Sequence, residues 1–494
     1  MDPEKIAAGP LGEGDLWLGG RWRAAADGRR FAVLDPATGR TVREVSAAGA
    51  ADARAAMDAA AEAAPGWAAT PARRRSEILH RTYELMTAHL EPLARLITLE
   101  NGKALRDARA EVSYAAEFFR WFAEEAVRID AGFGEAPNGG FRHLVQHRPV
   151  GITAHVTPWN FPAAMATRKI APALAAGCPA LLKPAPDTPL TALAVAELLA
   201  EAGLPDGVLQ VLPTDRAAEV VGAWFEDERM RKFSFTGSTA TGRLLLRQAA
   251  ERVVNVTMEL GGNAPFVVCA DADLDAAVRG AMDAKMRGGG QVCIAANRFY
   301  VHASVAEEFT ARFGAAMAEV VAGPGLAEGV TLGPLVNPAA VAKVRELVDD
   351  ALTRGARIAA QGAVPEGGQG EPGEQGCFHP ATVLVDVPDD ARMLHEEVFG
   401  PVAPVSVFTD EDELVARANA TPYGLAAYVF SRDLAHAVRL AERLEVGMVG
   451  VNRGLLSDPA APFGGVKQSG LGREGGREGI GAFLETTYMA VDWP

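Results

Sequence analysis

Apolar and polar positions first alternate in short runs and then repeat at helical spacing. Residues 15–50 carry brief apolar stretches, LWLGGRWR and FAVLDPATGRTVREV, which contain the turn signals GG and PATG. From about residue 51 to 130, apolar residues recur at spacings of three and four, as in RRRSEILHRTYELMTAHLEPLARLITLE. This pattern predicts short strands followed by a series of amphipathic helices.

Strand-like and helix-like segments alternate through the middle of the chain. Residues 146–158 again have the character of strands. Three strand–helix pairs follow, namely PALLKP with TALAVAELLAEAG, GVLQVLP with RAAEVVGAWFED, and KFSFTG with TATGRLLLRQAAE. Such βαβα alternation is typical of a parallel, doubly wound sheet with a crevice of the nucleotide-binding type.

A second α/β region follows the first. NAPFVVC is strand-like, DADLDAAVRGAMDAKM predicts a helix, and NRFYVH predicts another strand. The Gly-, Glu- and Pro-rich stretch 361–376 predicts a surface loop. The C-terminal segment FLETTYMAVDW alternates as a strand does, but no hairpin partner lies near it in the sequence. We therefore expect this strand to pair elsewhere, for example across a subunit interface.

Composition favours a globular cytoplasmic protein of two or three domains. The chain has 494 residues and a net charge of −15, without the basic runs of a nucleic-acid-binding protein. No apolar stretch reaches the roughly 18 residues of a membrane span, and the N-terminus lacks the apolar core of a signal peptide. The four cysteines form no CxxC pair and are too few for a disulfide framework, which fits a reducing cytoplasm.

Cys293 is the first residue with candidate chemistry. It follows the glycine run Gly288–Gly290 in RGGGQVCIAAN, where small side chains leave the backbone open to approach. A thiolate nucleophile needs such access. A free cysteine is nevertheless more often a small buried apolar residue, so the motif alone leaves both readings open.

Two further residues supply chemistry that a nucleophile requires. Glu259 ends the apolar strand VVNVTMEL, where apolar surroundings would raise its pKa toward that of a general base; a solvated strand end is the alternative. Asn160 lies between two prolines in TPWNFP, and its amide could donate to an oxyanion, although the segment could equally be a simple turn.

A weaker signal indicates a phosphate-binding turn. In FTGSTATG a strand ends at Gly237 and Ser238, and a helix begins there whose N-terminal N–H groups suit a pyrophosphate. Lys183 ends another strand of the same predicted sheet and could reach a ribose or phosphate. The motif is not GxGxxG and would carry little weight in isolation.

Six motifs together resemble the aldehyde dehydrogenase superfamily, in the order of that family and over nearly the whole chain. They are PWNFP, FTGST, MELGGNAP, GQVC, EEVFGPV (396–402) and PFGGVKQSGLGREG (462–475). The resemblance implies an α/β fold with a Rossmann-type cofactor domain, an α/β catalytic domain and a small β oligomerisation element. The implied boundaries are 1–126 with 150–260, then 261–468, and 127–149 with 469–494, respectively.

The resemblance also implies roles for individual residues. Cys293 would be the nucleophile, Glu259 the general base, and Asn160 with the backbone N–H of Cys293 the oxyanion hole. No metal is expected. The residues expected to bind NAD or NADP are Lys183, Ser238, Gly237, Thr157, Trp159, Glu397 and Phe399. NADP is favoured, because Pro186 stands where NAD-specific relatives often carry a ribose-binding glutamate, although Asp187 beside it complicates that expectation.

Within the superfamily the chain is most similar to succinate-semialdehyde dehydrogenases, through residues 447–475 and ELGGNAPFVV. Arg168 and Arg287 stand where relatives for apolar aldehydes carry aromatics, and they would hold the substrate's distal carboxylate. A surface ion pair is the alternative for either residue. Ser457 and Phe463 complete the expected substrate site.

Departures from the group leave alternatives open. Ala295 replaces a cysteine often found there, so no redox-switch disulfide is expected. Arg453 stands where the group has a neutral or acidic residue, which keeps glutarate semialdehyde or another aldehyde as an alternative substrate. A betaine or nonpolar aldehyde and a non-catalytic member of the fold are more remote. A homodimer or homotetramer is expected.

Overall fold

The structure is a computed structural model that describes residues 14–365 and 376–492. The surface loop predicted over 361–376 lies, for residues 366–375, outside the described residues. No helix in the described ranges is long and apolar enough to cross a membrane.

Twenty strands and fourteen helices make up the described parts of the chain. The strands β1 to β20 are Leu16–Leu18, Arg21–Arg23, Arg30–Leu34, Thr41–Ser46, Gly132–Glu135, Arg142–Pro149, Ile152–Val156, Ala180–Lys183, Leu209–Val211, Met230–Thr236, Asn255–Glu259, Ala264–Val268, Ala296–His302, Arg357–Gln361, Thr382–Val385, Val402–Phe408, Ala426–Phe430, Met448–Val451, Gly470–Leu471 and Leu484–Val491. The helices α1 to α14 are Ala50–Ala69, Ala72–Ala88, Leu90–Asn101, Leu105–Ala126, Pro162–Ala176, Leu190–Glu201, Ala217–Glu226, Thr239–Ala250, Leu274–Met286, Ala306–Ala318, Pro338–Thr353, Glu411–Asn419, Leu434–Glu442 and Glu478–Gly481.

The first large sheet has the strand order of a dinucleotide-binding fold. Its five central strands are parallel and lie in the order β9-β8-β7-β10-β11, with β1 and β2 antiparallel at one edge and β19 antiparallel at the other. Successive strands β7, β8 and β9 are added toward one edge of the sheet, whereas β10 and β11 are added on the other side of β7. The position between β7 and β10 is therefore a switch point, which opens a crevice at the carboxyl ends of the strands. The predicted doubly wound parallel sheet is therefore confirmed.

Apolar content explains why the middle of this sheet is buried. All residues of β7 and β8 are buried, as expected for strands covered by helices on both faces. Helix α5 is also buried along its whole length; it begins with Pro162 at its N-terminus, ends at Gly177 in the left-handed conformation, and packs against α4. This helix carries Arg168 into the interior.

A second, seven-stranded sheet follows in the order β14-β15-β16-β13-β12-β17-β18, and all its neighbouring strands are parallel except β14. Strand β12, next to the central strand β13, is buried throughout. The chain passes from Glu259 at the end of β11 in the first sheet, through β12 and α9, to Cys293. The two sheets therefore contribute the general-base candidate and the nucleophile candidate from consecutive segments.

The C-terminal strand pairs within its own chain. In the three-stranded sheet β20-β6-β5, β20 runs antiparallel to β6 from Leu484 opposite Pro149 to Val491 opposite Arg142. The expectation that it pairs with a strand distant in the sequence is confirmed, and pairing across a subunit interface stays a prediction for the outer edge of β20. The partner strand was hidden because it precedes β20 by most of the chain, and single-sequence patterns do not reveal such distant pairing.

Candidate active site

Cys293 lies in the loop that joins α9 to β13. The glycines before it form a short 3₁₀ turn, Arg287–Gly290, in which Gly288, Gly289 and Gly290 have φ values of 55°, 67° and 75°. A Cβ on Gly290 would overlap the carbonyl oxygen of Gly400, whereas a Cβ on Gly288 would have no atom closer than 3.7 Å. The glycine run therefore serves first to permit left-handed backbone and close packing on Gly400, rather than only to leave space for a ligand.

The Cys293 side chain is half-buried in the wall of a cleft, and its thiol is held in the protonated form. Burial, together with the nearby carboxylates of Glu397 and Glu259, raises the pKa of Cys293 to about 12, and the positive charge of Arg168 opposes this shift. This electrostatic coupling brings the nucleophile candidate together with the base candidate and one of the two arginines. Any catalytic use of the thiol requires that its proton be removed.

Glu259 is the last residue of β11, and its side chain is almost completely buried. Neither carboxylate oxygen has a hydrogen-bond partner among the residues that the structure describes. Burial raises the pKa of Glu259 well above its usual range, and the nearby Glu474 carboxylate adds to the shift. A Cβ on Gly464 would lie 2.9 Å from Glu259 Oε1, so a glycine is needed beside the carboxylate.

A buried ion pair lies beside Glu259, and its role was missed from the sequence. Lys169 donates to Glu474 Oε1 and also to Ser234 Oγ at 2.9 Å, and both charged side chains are buried. Glu474 lies in the motif SGLGREG and Lys169 directly follows Arg168, but nothing in the chain indicates that the two meet. The pair keeps both a positive and a negative charge next to the base candidate.

Asn160 is held at the start of α5 by two neighbouring segments. Its Nδ2 donates to the carbonyl oxygen of Gln291 at 2.9 Å, which ties it to the loop of Cys293. The backbone carbonyl of Asn160 accepts from Lys103 Nζ at 2.7 Å, and Lys103 forms a buried ion pair of 2.5 Å with Glu111. The second amide hydrogen of Asn160 can point into the cleft that Asn160 and Cys293 share.

That cleft has a volume of about 370 Å³ and contains most of the cofactor residues predicted from the sequence. Ser238 caps the N-terminus of α8 and accepts from the backbone N–H of Thr241 at 3.3 Å, and Gly237 precedes it. The predicted residues that line the cleft, together with Cys293, are Trp159, Asn160, Gly237, Ser238, Glu397 and Phe399. A helix N-terminus at the switch point of a doubly wound sheet fits the pyrophosphate of a dinucleotide.

The far end of the cleft is shaped by Glu397 and Phe399. Burial raises the pKa of Glu397 to about 7, and its carboxylate accepts from the backbone N–H of Gly262 at 3.2 Å. Phe399 has a φ of 54°, and its ring lies edge-on to Trp159 with centroids 5.4 Å apart. A non-glycine residue in the left-handed region is strained, and such strain is frequent where a ligand site fixes the backbone.

Lys183 and Thr157 lie behind the cleft rather than in its wall. The Lys183 amine donates to the carbonyl of Pro184 at 2.9 Å, and burial lowers its pKa to about 8. The Thr157 backbone N–H donates to the Lys183 carbonyl at 3.2 Å. Both residues follow central strands of the sheet, so contact with a ligand requires the lysine side chain to turn away from Pro184.

Arg168 and Arg287 meet around a group of aromatic rings. Arg168 is 3% exposed, donates to Tyr114 Oη at 2.5 Å, and lies 4.1 Å from the centre of the Phe463 ring. Arg287 lies over Tyr114 at 5.3 Å and over Phe161 at 4.9 Å. Within the described ranges neither guanidinium forms a salt bridge, so the alternative reading of a surface ion pair finds no support there.

Ser457 and Arg453 lie on the segment that leads to Phe463. Ser457 is half-buried, and Arg453 is exposed with its Nε donating to the carbonyl of Leu455 at 2.6 Å. The positive charge of Arg453 also acts on the Asp283 carboxylate of α9. Arg453 is therefore turned back onto its own loop and away from the aromatic group around Arg168.

Outside the cleft, Cys269, Asp271 and His436 form a group of residue types that can bind metals, with ligand atoms within 4.8 Å of one another. Each polar member already has protein partners. Asp271 accepts from Ser431 Oγ and from the backbone N–H of Asp433, and His436 pairs with Glu411 at 2.5 Å. Hydrogen bonds within the protein thus account for this arrangement.

Comparison with known proteins assigns the family. The family model described as "Aldehyde dehydrogenase family" matches residues 22–489. The chain belongs to the aldehyde dehydrogenase family. The fold agrees with that assignment: a solved structure of an NADP-dependent enzyme from E. coli superposes with a TM-score of 0.94 at 47% identity, covering 97% of this chain and 98% of the other.

Two curated relatives of this aldehyde dehydrogenase have names that specify a substrate. The chain is 52% identical over 443 residues to a succinate-semialdehyde dehydrogenase of Paenarthrobacter nicotinovorans, covering 90% of this chain and 97% of the relative. It is 48% identical over 477 residues to a glutarate-semialdehyde dehydrogenase of Pseudomonas putida, covering 96% and 97%. Both names denote aldehydes with a distal carboxylate.

Proposed function

We propose that this aldehyde dehydrogenase oxidises succinate semialdehyde to succinate and reduces NAD(P). The observation that carries the proposal is the pair of guanidiniums of Arg168 and Arg287, which meet around Tyr114 without a salt-bridge partner among the described residues. Arg168 is buried without a direct ion pair, which is costly, and Arg287 is half-buried at the same ring, so an anionic ligand best explains the two. The names of the two relatives support the same conclusion.

Formation of the covalent adduct is assigned to Cys293 and Asn160. The Cys293 sulfur forms a bond to the aldehyde carbon, its thiol proton passes to a neighbouring base, and the carbonyl oxygen becomes an oxyanion. We assign the stabilisation of this oxyanion to the Asn160 amide and the Cys293 backbone N–H. Because the thiol has a pKa of about 12, the adjacent Glu259 carboxylate is the group best placed to assist the loss of the proton.

When bound, NAD(P) would supply the hydride acceptor for this oxidation. The residues that would hold this cofactor are those of the cleft, with the N-terminus of α8 at Gly237 and Ser238 suited to the pyrophosphate and Glu397 and Phe399 suited to the nicotinamide ribose. The chain's contribution is to hold the thiohemiacetal carbon in this cleft and to exclude bulk water from it.

Release of the product is assigned to Glu259. The carboxylate removes a proton from water, the water oxygen bonds to the thioester carbon, and the carbon–sulfur bond breaks to give succinate and the Cys293 sulfur. Its raised pKa makes it a stronger base than a solvated carboxylate. The charged Lys169–Glu474 pair lies close enough to Glu259 to influence its pKa.

NADP is favoured over NAD as the cofactor. Pro186 is exposed and carries no charge, and the neighbouring Asp187 carboxylate accepts a hydrogen bond of 3.2 Å from Asn337 Nδ2. A carboxylate that would repel a 2′-phosphate is therefore absent at position 186. A kcat/KM with NAD well above that with NADP would contradict this preference.

Glutarate semialdehyde is the second candidate substrate. It also carries a distal carboxylate and is one methylene longer, and the Pseudomonas putida relative bears that name. One methylene changes binding by only about 1–3 kcal/mol, so one pair of arginines can serve both substrates. The ratio of their kcat/KM values decides between the two.

The direct test is a panel of succinate semialdehyde, glutarate semialdehyde and the neutral analogue butanal, each measured with NADP and with NAD. We expect the highest kcat/KM for succinate semialdehyde with NADP. Equal or higher values for butanal would refute recognition of a carboxylate. A higher value for glutarate semialdehyde would move the assignment to the longer substrate and keep the role of the arginines.

We further propose the domain division given by the family resemblance, a cytoplasmic location and a homo-oligomeric state. The three-stranded sheet presents β5 and β20 as edges, and Tyr488 on β20 is 56% exposed, which suits a sheet that docks on another copy. The four free cysteines suit a reducing compartment.

A further inference from the structure

Tyr114 is the residue on which the two arginines converge. It lies on α4, one turn before Phe118, and its ring is edge-on to the Phe118 ring with centroids 5.0 Å apart. The Tyr114 hydroxyl accepts from Arg168 Nη2 at 2.5 Å, and the Tyr114 ring lies beneath Arg287 at 5.3 Å. One side chain therefore contacts both guanidiniums, through its hydroxyl in one case and its ring face in the other.

Arg168 is buried and Arg287 is half-buried, and neither guanidinium has a direct ion pair among the described residues. The aromatic faces around them compensate in part, since a ring face attracts a cation by about 0.5–2 kcal/mol. Arg168 has the rings of Phe463, Phe118 and Tyr114 at 4.1, 5.3 and 5.8 Å. Among these rings, only Tyr114 also faces Arg287 and also offers a hydrogen-bond acceptor.

We propose that Tyr114 is a positioning residue that sets the two guanidiniums for the distal carboxylate of the substrate. Its hydroxyl fixes the direction of the Arg168 fork, and its ring supports Arg287. The inference rests on the proposed function, because it assumes that the two arginines bind that carboxylate. It adds a determinant of specificity on α4, a helix that contributes no residue to the motifs of the family.

The decisive variants separate the hydroxyl from the ring. Tyr114→Phe keeps the ring and removes only the acceptor for Arg168, whereas Tyr114→Leu removes the ring beneath Arg287 as well. Tyr83→Phe is the matched control, since the Tyr83 ring also carries an arginine, Arg120, at 5.2 Å but lies on α2. Kinetics with succinate semialdehyde and butanal, the inhibition constant of succinate and the melting temperature are measured for each variant.

For Tyr114→Phe we expect KM for succinate semialdehyde and the inhibition constant of succinate to rise roughly tenfold, the size of one hydrogen bond to a charged group. We expect kcat to stay within about twofold and the butanal kinetics to be unchanged, since neither depends on the carboxylate contact. Tyr114→Leu should raise KM further than Tyr114→Phe, and Tyr83→Phe should change nothing. In an Arg168→Ala background, Tyr114→Phe should have no further effect on KM, because the hydroxyl acts through Arg168.

An unchanged KM and inhibition constant in Tyr114→Phe would overturn the inference, as would an equal loss with butanal, which indicates a general structural role. An undiminished effect in the Arg168→Ala background would also overturn it. If Arg168→Ala raises KM for succinate semialdehyde while Tyr114→Phe does not, the inference fails and the proposed function stands. If Arg168→Ala itself leaves KM unchanged, the proposed carboxylate site fails.

Discussion

At the scale of the residue, the site combines carboxyl groups and a thiol whose pKa values burial raises. Glu259 has a strongly raised pKa, and Cys293 has a pKa of about 12. The family resemblance singled out both residues, because the motif around each one alone left two readings open. The sequence could not predict that Lys169 and Glu474 meet beside them, since 305 residues separate the pair.

The first prediction concerns Glu259→Gln. We expect kcat to fall by about 100-fold or more, because the water loses its base, while a stoichiometric burst of reduced cofactor remains but forms more slowly, because the thiol also loses the group that assists its deprotonation. Stopped-flow absorbance measures both quantities. A variant that retains full steady-state turnover would contradict the role of Glu259 as the base.

The same variant should be more stable than the wild type at alkaline pH. The folded pKa of Glu259 lies above its unfolded value, so the folded state binds more protons in between and wild-type stability falls as the pH rises from about 4.5 toward the folded pKa. Glutamine does not titrate, so the difference in unfolding free energy between variant and wild type should grow over this window. Denaturant unfolding at several pH values tests this; a difference that is independent of pH would contradict it.

The second prediction concerns the reactivity of Cys293 without cofactor. A thiol with a pKa of about 12 contains little thiolate near neutrality, so inactivation by iodoacetamide should be slow and should rise about tenfold per pH unit. Arg168→Ala should slow it further, because Arg168 stabilises the thiolate. Inactivation that is fast and flat between pH 6 and 9 would show that the thiol is already ionised.

At the scale of the element, the short turn Arg287–Gly290 determines where the nucleophile lies. The sequence showed the glycine run but not why position 290 requires glycine. That requirement comes from the contact of Gly290 with the carbonyl of Gly400, which joins two distant segments. The same limit applied to Tyr114, whose position on α4 follows an ordinary apolar helical pattern. Local patterns predicted the elements, whereas contacts between elements determined the site.

The third prediction compares two glycines of this turn. Gly288→Ala and Gly290→Ala both place an alanine at positive φ, which costs roughly 1 kcal/mol each. Gly290→Ala also forces a Cβ into the Gly400 carbonyl, and such overpacking adds about 1–3 kcal/mol. Gly290→Ala should therefore lose more stability and more kcat than Gly288→Ala in unfolding and steady-state measurements. Equal losses would show that the backbone angle alone matters.

At the scale of the whole molecule, two parallel sheets meet at the cleft and a small antiparallel sheet stands apart from it. The alternation of strands and helices predicted the parallel sheets correctly. The partner of the C-terminal strand was not predictable, because β6 and β20 are far apart in the sequence. Family resemblance, rather than pattern, supplied the expectation of an oligomerisation element.

The fourth prediction tests that element. Tyr488→Glu places a charge on the exposed face of β20 and should shift the protein toward smaller species in light scattering coupled to gel filtration. Leu434→Glu is the control, because Leu434 is 63% exposed on α13 and lies outside the three-stranded sheet. A mass that is unchanged by Tyr488→Glu would remove this strand from the proposed interface.

The central claim is that Arg168 and Arg287 recognise a distal carboxylate, and the ratio of kcat/KM for succinate semialdehyde to that for butanal tests it most directly. We expect the wild type to have a large ratio, on the order of 100 or more for a desolvated carboxylate on an arginine pair. Arg168→Ala and Arg287→Ala should lower this ratio strongly, while Arg453→Ala, at an exposed arginine outside the aromatic group, should preserve it. A ratio near one in the wild type, or a ratio that Arg168→Ala and Arg287→Ala leave unchanged, would contradict the account.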